Sequence, residues 1–233
     1  MDIGLQRVSP PTTLAELKAF IEGDSALSSI RHEMDNATDD SSHDLNHALR
    51  VALTTLDIAD ESVAPRDAVA AALLHDVVHV SKSSPLRAQA SELSANKARE
   101  ILASHDFSAS RTERIVAAIR DHSFSRGATP TDPLGCALQD ADRLEALGAI
   151  GILRCAATGA AMGASLFDDA DPWAATRPLD DRRYSIDHFF KKLLTLPATM
   201  TTNRGRELAE DRCRILHQLL DALAVELGVP RTR

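Results

Sequence analysis

The chain is poor in aromatic residues, which make up 3% of its 233 residues, although 44% of the residues are hydrophobic. A core must therefore be built mostly from Leu, Ala, Ile and Val, and a mixture rich in Ala and Leu favours helices over sheets. No alternation of apolar and polar residues is long enough to predict a strand. We therefore expect one all-α domain.

The chain also has few cysteines, no long apolar run and no excess of basic over acidic residues. The three cysteines, Cys136, Cys155 and Cys213, have no CxxC spacing, which indicates reduced core residues rather than a disulfide frame or a zinc knuckle. No run approaches about 18 apolar residues, and no signal-peptide pattern is present, so we expect a cytoplasmic protein without a membrane span. The net charge of −8 argues against nucleic-acid binding but is compatible with a locally positive pocket for an anionic small molecule.

Turn-forming residues divide the chain into helical segments. A first helix is predicted from Thr12 or Thr13 to about Ile21, and a second short helix follows to about Met34. The next two are predicted from Ser42 to about Ala59, and from Pro65 through His75-Asp76 to a stop at Ser83-Ser84-Pro85. Further helices are predicted over 88–104, 109–121, 134–161, 185–195 and 203–227. Residues 163–182 are polar and carry Pro172 and Pro178, which predicts a mobile loop or lid. We expect residues 1–24 to form an N-terminal arm and helix, residues 25–165 the main domain, and residues 166–233 a lid and C-terminal helices that complete it.

The stretch AALLHDVVHVSK, residues 71–82, places polar side chains directly after an apolar run. Buried polar groups without partners cost about 1–3 kcal/mol each. A divalent cation is one partner that His75 and Asp76 could share, and His79 follows one helical turn later if the helix continues. The stretch therefore predicts the start of a metal site.

Further candidate ligands occur on other predicted helices. His43 and His47 are four residues apart and share one helical face. Asp140 and Asp142 lie about 200° apart around a helix, so only one of them can face a common ion well. Spacing alone does not choose between these two aspartates, and single His or Asp residues on helices are most often core or surface residues.

Taken in order, His47, His75-Asp76 and Asp142 resemble the H…HD…D signature of the HD-domain superfamily. Longer segments resemble one bacterial subfamily of HD-domain phosphohydrolases, which includes nucleotide pyrophosphatases similar to YpgQ and YedJ; they are HDLNHALRV (43–51), AALLHD (71–76), DHSFS (121–125), QDADRLEALGAIGILR (139–154) and HFFKKLL (188–194). The resemblance extends from about Ala26 to Leu227. It implies an all-α HD-domain helical bundle, with the HD domain at 25–165 and C-terminal helices packed on its core.

The resemblance also implies one divalent ion with four protein ligands, which are His47, His75, Asp76 and Asp142. By the same resemblance, His43 and Asp44 would orient a metal ligand or a water molecule. Asp140 would either orient a ligand in the same way or contribute a charge that packs helices together. A mixed set of nitrogen and oxygen ligands suits Mn²⁺ first, with Fe²⁺, Co²⁺, Mg²⁺, Zn²⁺ or Ni²⁺ as alternatives.

The activity that the resemblance implies is hydrolysis of nucleotides by a metal-activated water, as an NTP or dNTP pyrophosphatase or phosphatase. Family members often carry an acidic residue three positions after the HD pair, where this chain has His79. His79 and Asp76 are therefore the candidate catalytic groups, and His79 could instead bind phosphate or the metal. The side chains expected to bind substrate are Lys82, His122, His188 and Lys192.

Two alternatives stay open from the sequence. An HD-type di-iron oxygenase would need additional ligands, for which His79 and His122 are candidates. The departure at His79 also permits a non-catalytic nucleotide-binding HD module. As partner we expect a small phosphorylated substrate, with a nucleotide as the first choice, and neither nucleic acid nor a membrane. The chain is expected to be a monomer or a homodimer.

Overall fold

Helices form nearly all of the regular structure in the residues that the computed structural model describes, which are 9–35, 45–80, 84, 86–123 and 126–233. The described residues are 66% helical, and they contain no β-strand beyond one isolated bridge between Ser165 and Tyr184. The all-α prediction is confirmed. The chain divides into two units, Met1–Gln139 and Asp140–Arg233. The domain limits expected at residues 24 and 165 stay a prediction.

The first unit contains six helices and the start of a seventh among its described residues: α1 (Leu14–Glu22), α2 (Ser25–Asp35), α3 (Leu45–Ile58), α4 (Pro65–Leu74), α5 (Ala90–Ala103), α6 (Ala109–Asp121) and the first part of α7 (Pro133–Leu144). Thr13 caps α1 by accepting a hydrogen bond from the Glu16 N–H, and the Glu16 side chain completes a capping box. The predicted start of α3 at Ser42 lies outside the described residues.

Helix α4 is buried along most of its length and organises the first unit. Pro65 occupies its first turn, as predicted. Residues 68–74 have no exposed surface, and α4 packs against α2, α3, α5 and α6. An apolar helix enclosed in this way brings its C-terminal end, and the polar pair that follows it, into the interior.

The prediction that α4 continues through His75-Asp76 is wrong, because α4 ends at Leu74. After this point the Val77 N–H donates to the Leu74 carbonyl in a tighter turn, and the Val78 N–H donates to the Ser94 hydroxyl of α5. The β-branched residues that follow the pair also favour helix less than the Ala and Leu of α4. The HD pair therefore lies in a turn at the end of the helix.

The single helix predicted over 134–161 is two helices, α7 and α8 (Gly148–Ala161). Gly148 has a φ of +70°, in the left-handed region that L side chains rarely adopt. Gly151 is a close-packing point, because a Cβ there would meet the Ala146 carbonyl. Among the helices of the described ranges, none alone has the length and apolar character to cross a membrane; only the bent pair of α7 and α8 meets that test together.

The second unit contains the end of α7, α8, α9 (Ser185–Lys191), a 3-10 segment at Leu193–Thr199 and α10 (Asn203–Leu227). Helix α8 packs against α9 and α10, and the 3-10 segment packs against the same two helices. Helix α10 has the predicted limits and ends at Gly228, which has a left-handed φ of +65°.

The stretch predicted as a mobile loop or lid, residues 163–182, makes many polar contacts within the second unit. The Asp171 carboxylate accepts hydrogen bonds from the N–H groups of Thr176, Ala175 and Arg177, and these bonds lower its pKa to about 2. Arg177 also donates two hydrogen bonds to the buried Asp187 carboxylate. An opening motion would have to break such contacts, and mobility here stays a prediction.

Candidate metal site

Two histidines meet in the interior of the first unit. His47 lies near the start of α3 and His75 directly follows α4, and these two helices pack against each other. The residues are 2% and 1% exposed, and their Nε2 atoms lie 3.3 Å apart. The structure thus brings together two of the ligands expected from the sequence.

The proton position on His75 follows from its other ring nitrogen. Nδ1 of His75 lies 2.7 Å from the carbonyl oxygen of Ala72. A carbonyl oxygen can only accept, so Nδ1 carries the proton and Nε2 of the neutral ring carries the lone pair. That lone pair faces Nε2 of His47, and either a proton on His47 or a cation between the rings satisfies it.

Asp76 adds a carboxylate to the same place. Its Oδ2 lies 3.8 Å from Nε2 of His75, and its side chain is 26% exposed. A carboxylate beside two imidazole nitrogens is a donor set that divalent transition metals prefer. Because the Asp76 side chain is partly exposed, an ion held here would be open to a ligand arriving from solvent.

His122 has the same relation to α6 as His75 has to α4. Each residue directly follows its helix, and Nδ1 of His122 lies 2.6 Å from the carbonyl oxygen of Ile119, three residues earlier. His122 is 3% exposed, and its Nε2 lies 3.6 Å from Oδ1 of Asp76. The sequence assigned His122 to substrate binding, whereas its position beside Asp76 also makes it a candidate ligand.

The ligand atoms of His75, Asp76 and His122 all lie within 4.8 Å of one another. Two atoms that bind one ion at about 2.1 Å are at most about 4.2 Å apart, so a small adjustment would bring all three to a common ion. With Nδ1 of both histidines held by carbonyls, the Nε2 atoms of both rings carry lone pairs and lie near the Asp76 carboxylate. The residues present therefore fit a divalent cation.

The remaining predicted ligand and proton-transfer residues are less constrained. Asp142 is partly buried on the part of α7 that belongs to the second unit, and its role as a ligand stays a prediction. His79 is exposed in the segment after Asp76, and its catalytic role also stays a prediction. His43, Asp44 and Lys82 lie outside the described residues.

Asp140 connects α7 to the start of α10. Its buried carboxylate accepts hydrogen bonds from the backbone N–H and hydroxyl of Thr201 and from the same groups of Thr202, at 2.7–3.1 Å. Thr202 in turn caps α10 by accepting from the Gly205 N–H at 2.9 Å. These contacts correspond to the helix-packing alternative for Asp140.

His188 and Lys192, expected to bind substrate, lie at α9. Nδ1 of His188 is 3.1 Å from Oδ2 of Asp181, and Lys191 Nζ is 2.6 Å from Oδ1 of the same carboxylate. Lys191 first and then His188 lower the pKa of Asp181 by hydrogen bonding. Lys192 is half-buried directly after α9. Substrate binding by His188 and Lys192 stays a prediction.

Two buried polar residues near the cluster were missed by the sequence reasoning. Ser94 accepts the Val78 N–H at 3.2 Å, which fixes the segment that follows the HD pair. Gln139 donates from Nε2 to the carbonyls of Asp121 and Ala128, both at 2.9 Å. The sequence signal that could have identified both residues is a polar side chain at a position where the helical pattern predicts a buried apolar one.

Comparison with known proteins agrees with this geometry. Residues 44–147 match the HD domain family. YpgQ of Bacillus subtilis (strain 168) is 34% identical over 196 residues, which cover 82% of this chain and 87% of that protein. The crystal structure of Bacillus subtilis YpgQ in complex with ADP aligns with a TM-score of 0.66 and 29% identity, over 85% of this chain and 96% of YpgQ.

A second solved structure gives the same fold. An HD-superfamily hydrolase from Bacillus thuringiensis aligns with a TM-score of 0.67 and 29% identity, over 92% of this chain and 100% of that one. The expectation drawn from the H…HD…D signature is therefore confirmed at the level of the family. The chain belongs to the HD-domain superfamily, is related to YpgQ over most of its length and has the fold of HD-superfamily hydrolases.

Proposed function

We propose that the chain is a divalent-metal-dependent phosphohydrolase that acts on nucleotides. The observation that carries this proposal is the approach of His47 Nε2 to His75 Nε2, 3.3 Å apart, next to the Asp76 carboxylate. Asp142 is the proposed fourth ligand on the strength of the family signature. Mn²⁺ is the first metal to test, and a cytoplasmic location is part of the proposal.

A bound divalent ion supplies an acidic water and offsets negative charge on a phosphoryl oxygen. The protein's contribution is to present its donors in a fixed orientation. The Ala72 carbonyl holds the Nδ1 proton of His75 and so keeps the Nε2 lone pair directed at the centre of the cluster. Asp76 adds negative charge, and its partly exposed side chain can be reached by substrate. The exposed His79 is the proposed group that accepts or donates a proton there.

Nucleotides are the proposed substrate class because a relative with 29% identity, YpgQ, has been crystallised with ADP. The net charge of −8 means that attraction of phosphates must come from local groups rather than from the whole protein. The proposed groups are Lys82, His122, His188 and Lys192. Which phosphate bond is cleaved then depends on the phosphate that these groups bring to Asp76.

The test is a panel of nucleoside and deoxynucleoside mono-, di- and triphosphates with Mn²⁺, with orthophosphate and pyrophosphate measured separately. Wild-type protein should release one of the two products. Asp76→Asn should lose both bound metal and turnover, whereas Asp57→Asn, at an exposed position of α3, should keep both. Metal-loaded protein that releases neither product would contradict the proposal, and tight nucleotide binding without turnover would identify a binding module.

The group of His75, Asp76 and His122 favours one second candidate, an HD-type di-iron oxygenase. Such an enzyme needs a second metal, for which His122 would be a ligand. Two iron ions per chain and oxygen consumption with an organophosphonate or a polyol would support it. One metal ion per chain without oxygen uptake would rule it out.

A further inference from the structure

We infer that Gln139 is a positioning residue for His122, and through it for the Asp76 side of the cluster. Gln139 is 1% exposed on α7, and its Nε2 atom donates to the backbone carbonyls of Asp121 and Ala128 at 2.9 Å each. This inference rests on the proposed function, because it concerns the geometry of the same site.

The chemistry of an amide suits this role. The Nε2 group of Gln has two hydrogens, and each is directed to a different carbonyl. One acceptor belongs to the residue directly before His122 and the other to a residue six positions after it. Asp121 is the last residue of α6, so its carbonyl has no partner within that helix. One side chain thus holds the backbone on both sides of His122.

The packing around Gln139 limits other arrangements of this backbone. Pro130 lies against Gly135 on the first turns of α7, where an added Cβ would approach the Pro130 Cβ to 2.9 Å. Ala128 precedes Pro130 by two residues and is therefore kept near Gln139. The contact between α7 and the chain after α6 is close, and Gln139 is its buried polar bridge.

Two constraints then act on His122. The Ile119 carbonyl fixes the rotation of the ring through Nδ1, and Gln139 fixes the backbone from which the ring projects. Together they keep His122 Nε2 at 3.6 Å from Asp76 Oδ1. Loss of the amide donors should leave the protein folded but let the His122 ring move relative to Asp76.

The decisive substitution is Gln139→Glu, which keeps the shape of the side chain but places carboxylate oxygens against two carbonyl oxygens. The matched control is Gln218→Glu, the same change at an exposed position of α10. Gln139→Met removes the donors without adding charge and replaces Gln139→Glu if that variant does not fold. Each protein is studied at full length and loaded with Co²⁺ or Mn²⁺.

The first readout is the visible absorption spectrum of the Co²⁺ protein, which reports ligand geometry without turnover. Gln139→Glu and Gln139→Met should alter it, and Gln218→Glu should leave it unchanged. In the Mn²⁺ protein, kcat for the nucleotide substrate should fall about 10–100-fold, as for other residues that support a metal ligand, with a smaller change in KM.

A double-mutant cycle with His122→Ala separates positioning from general stabilisation. If Gln139 acts through His122, Gln139→Glu should have little further effect on the Co²⁺ spectrum and on kcat in the His122→Ala background. Equal effects in both backgrounds, or a Gln139→Glu spectrum identical to wild type, would overturn the inference. If no nucleotide is hydrolysed by any variant, the proposed function fails, while the Co²⁺ spectra still decide the role of Gln139.

Discussion

The Nε2 atoms of His47 and His75 lie 3.3 Å apart at the buried end of α4. Because the Ala72 carbonyl takes the Nδ1 proton of His75, the neutral His75 ring can only accept at Nε2. In the metal-free protein a proton on His47 can bridge the two rings. A divalent cation that replaces this bridge would use both rings and the neighbouring Asp76.

Metal binding should stabilise the folded protein. Mn²⁺ at 100 times its Kd should raise the free energy of unfolding by about 2.7 kcal/mol, and a chelator should reverse the increase. His47→Ala should abolish this metal-dependent gain, whereas His32→Ala, at an exposed position of α2, should retain it. Thermal unfolding with and without Mn²⁺ measures the difference. An undiminished gain in His47→Ala would exclude His47 as a ligand.

Ser94 should support the HD pair from α5. Ser94→Ala removes the acceptor of the Val78 N–H and should cost about 1 kcal/mol of stability. Because Val78 lies two residues after Asp76, metal affinity should fall as well. Urea unfolding and Mn²⁺ titration measure the two effects, with Ser110→Ala at an exposed position of α6 as the control. Unchanged metal affinity in a destabilised variant would show that the contact supports the fold alone.

Asp140 should matter for stability more than for metal binding. Asp140→Ala leaves the partly buried N–H and hydroxyl groups of Thr201 and Thr202 without their carboxylate partner, which should cost about 3 kcal/mol. Mn²⁺ affinity of the folded protein should change less than about threefold, well below the loss of about 10–100-fold seen when a residue that supports a metal ligand is removed. Asp169→Ala, at an exposed position, is the control. Loss of metal without loss of stability would instead give Asp140 the role of orienting a ligand.

Asp171 should make stability depend on pH in the acid range. Its pKa is lowered from 3.8 to about 2, chiefly by hydrogen bonds from the Thr176 and Ala175 N–H groups. A lowered pKa stabilises the folded state fully above pH 3.8, and this contribution is lost as the pH falls to about 2. The difference in unfolding free energy between wild type and Asp171→Asn should therefore shrink over that interval. Urea unfolding at several pH values checks it, and a difference independent of pH would contradict it.

Local signals predicted much of the helix layout. Thr13 and Glu16 form the capping box at the start of α1, and Gly228 ends α10 as its sequence position indicates. These features depend on residues within one turn of the helix end, so the sequence contains their cause. The resemblance to the H…HD…D signature likewise indicated that His47 and His75 would meet, because it assigns both residues to one metal site.

Long-range contacts decided what the sequence did not predict. Helix α4 ends before His75 partly because Val78 donates to Ser94, sixteen residues later in the chain. The position of His122 beside Asp76 depends on the packing of α4 against α6. No spacing within one helix encodes either relation. Residues such as Gln139 are recognised only when their backbone partners are known.

The most direct test of metal-dependent nucleotide hydrolysis is a titration of metal-free protein with Mn²⁺ in which bound metal and hydrolysis are measured on the same samples. We predict that hydrolysis rises in proportion to bound metal up to one ion per chain, and that Asp76→Asn shows neither bound metal nor hydrolysis. Hydrolysis by fully metal-free protein, or an ion whose binding Asp76→Asn leaves unchanged, would contradict it.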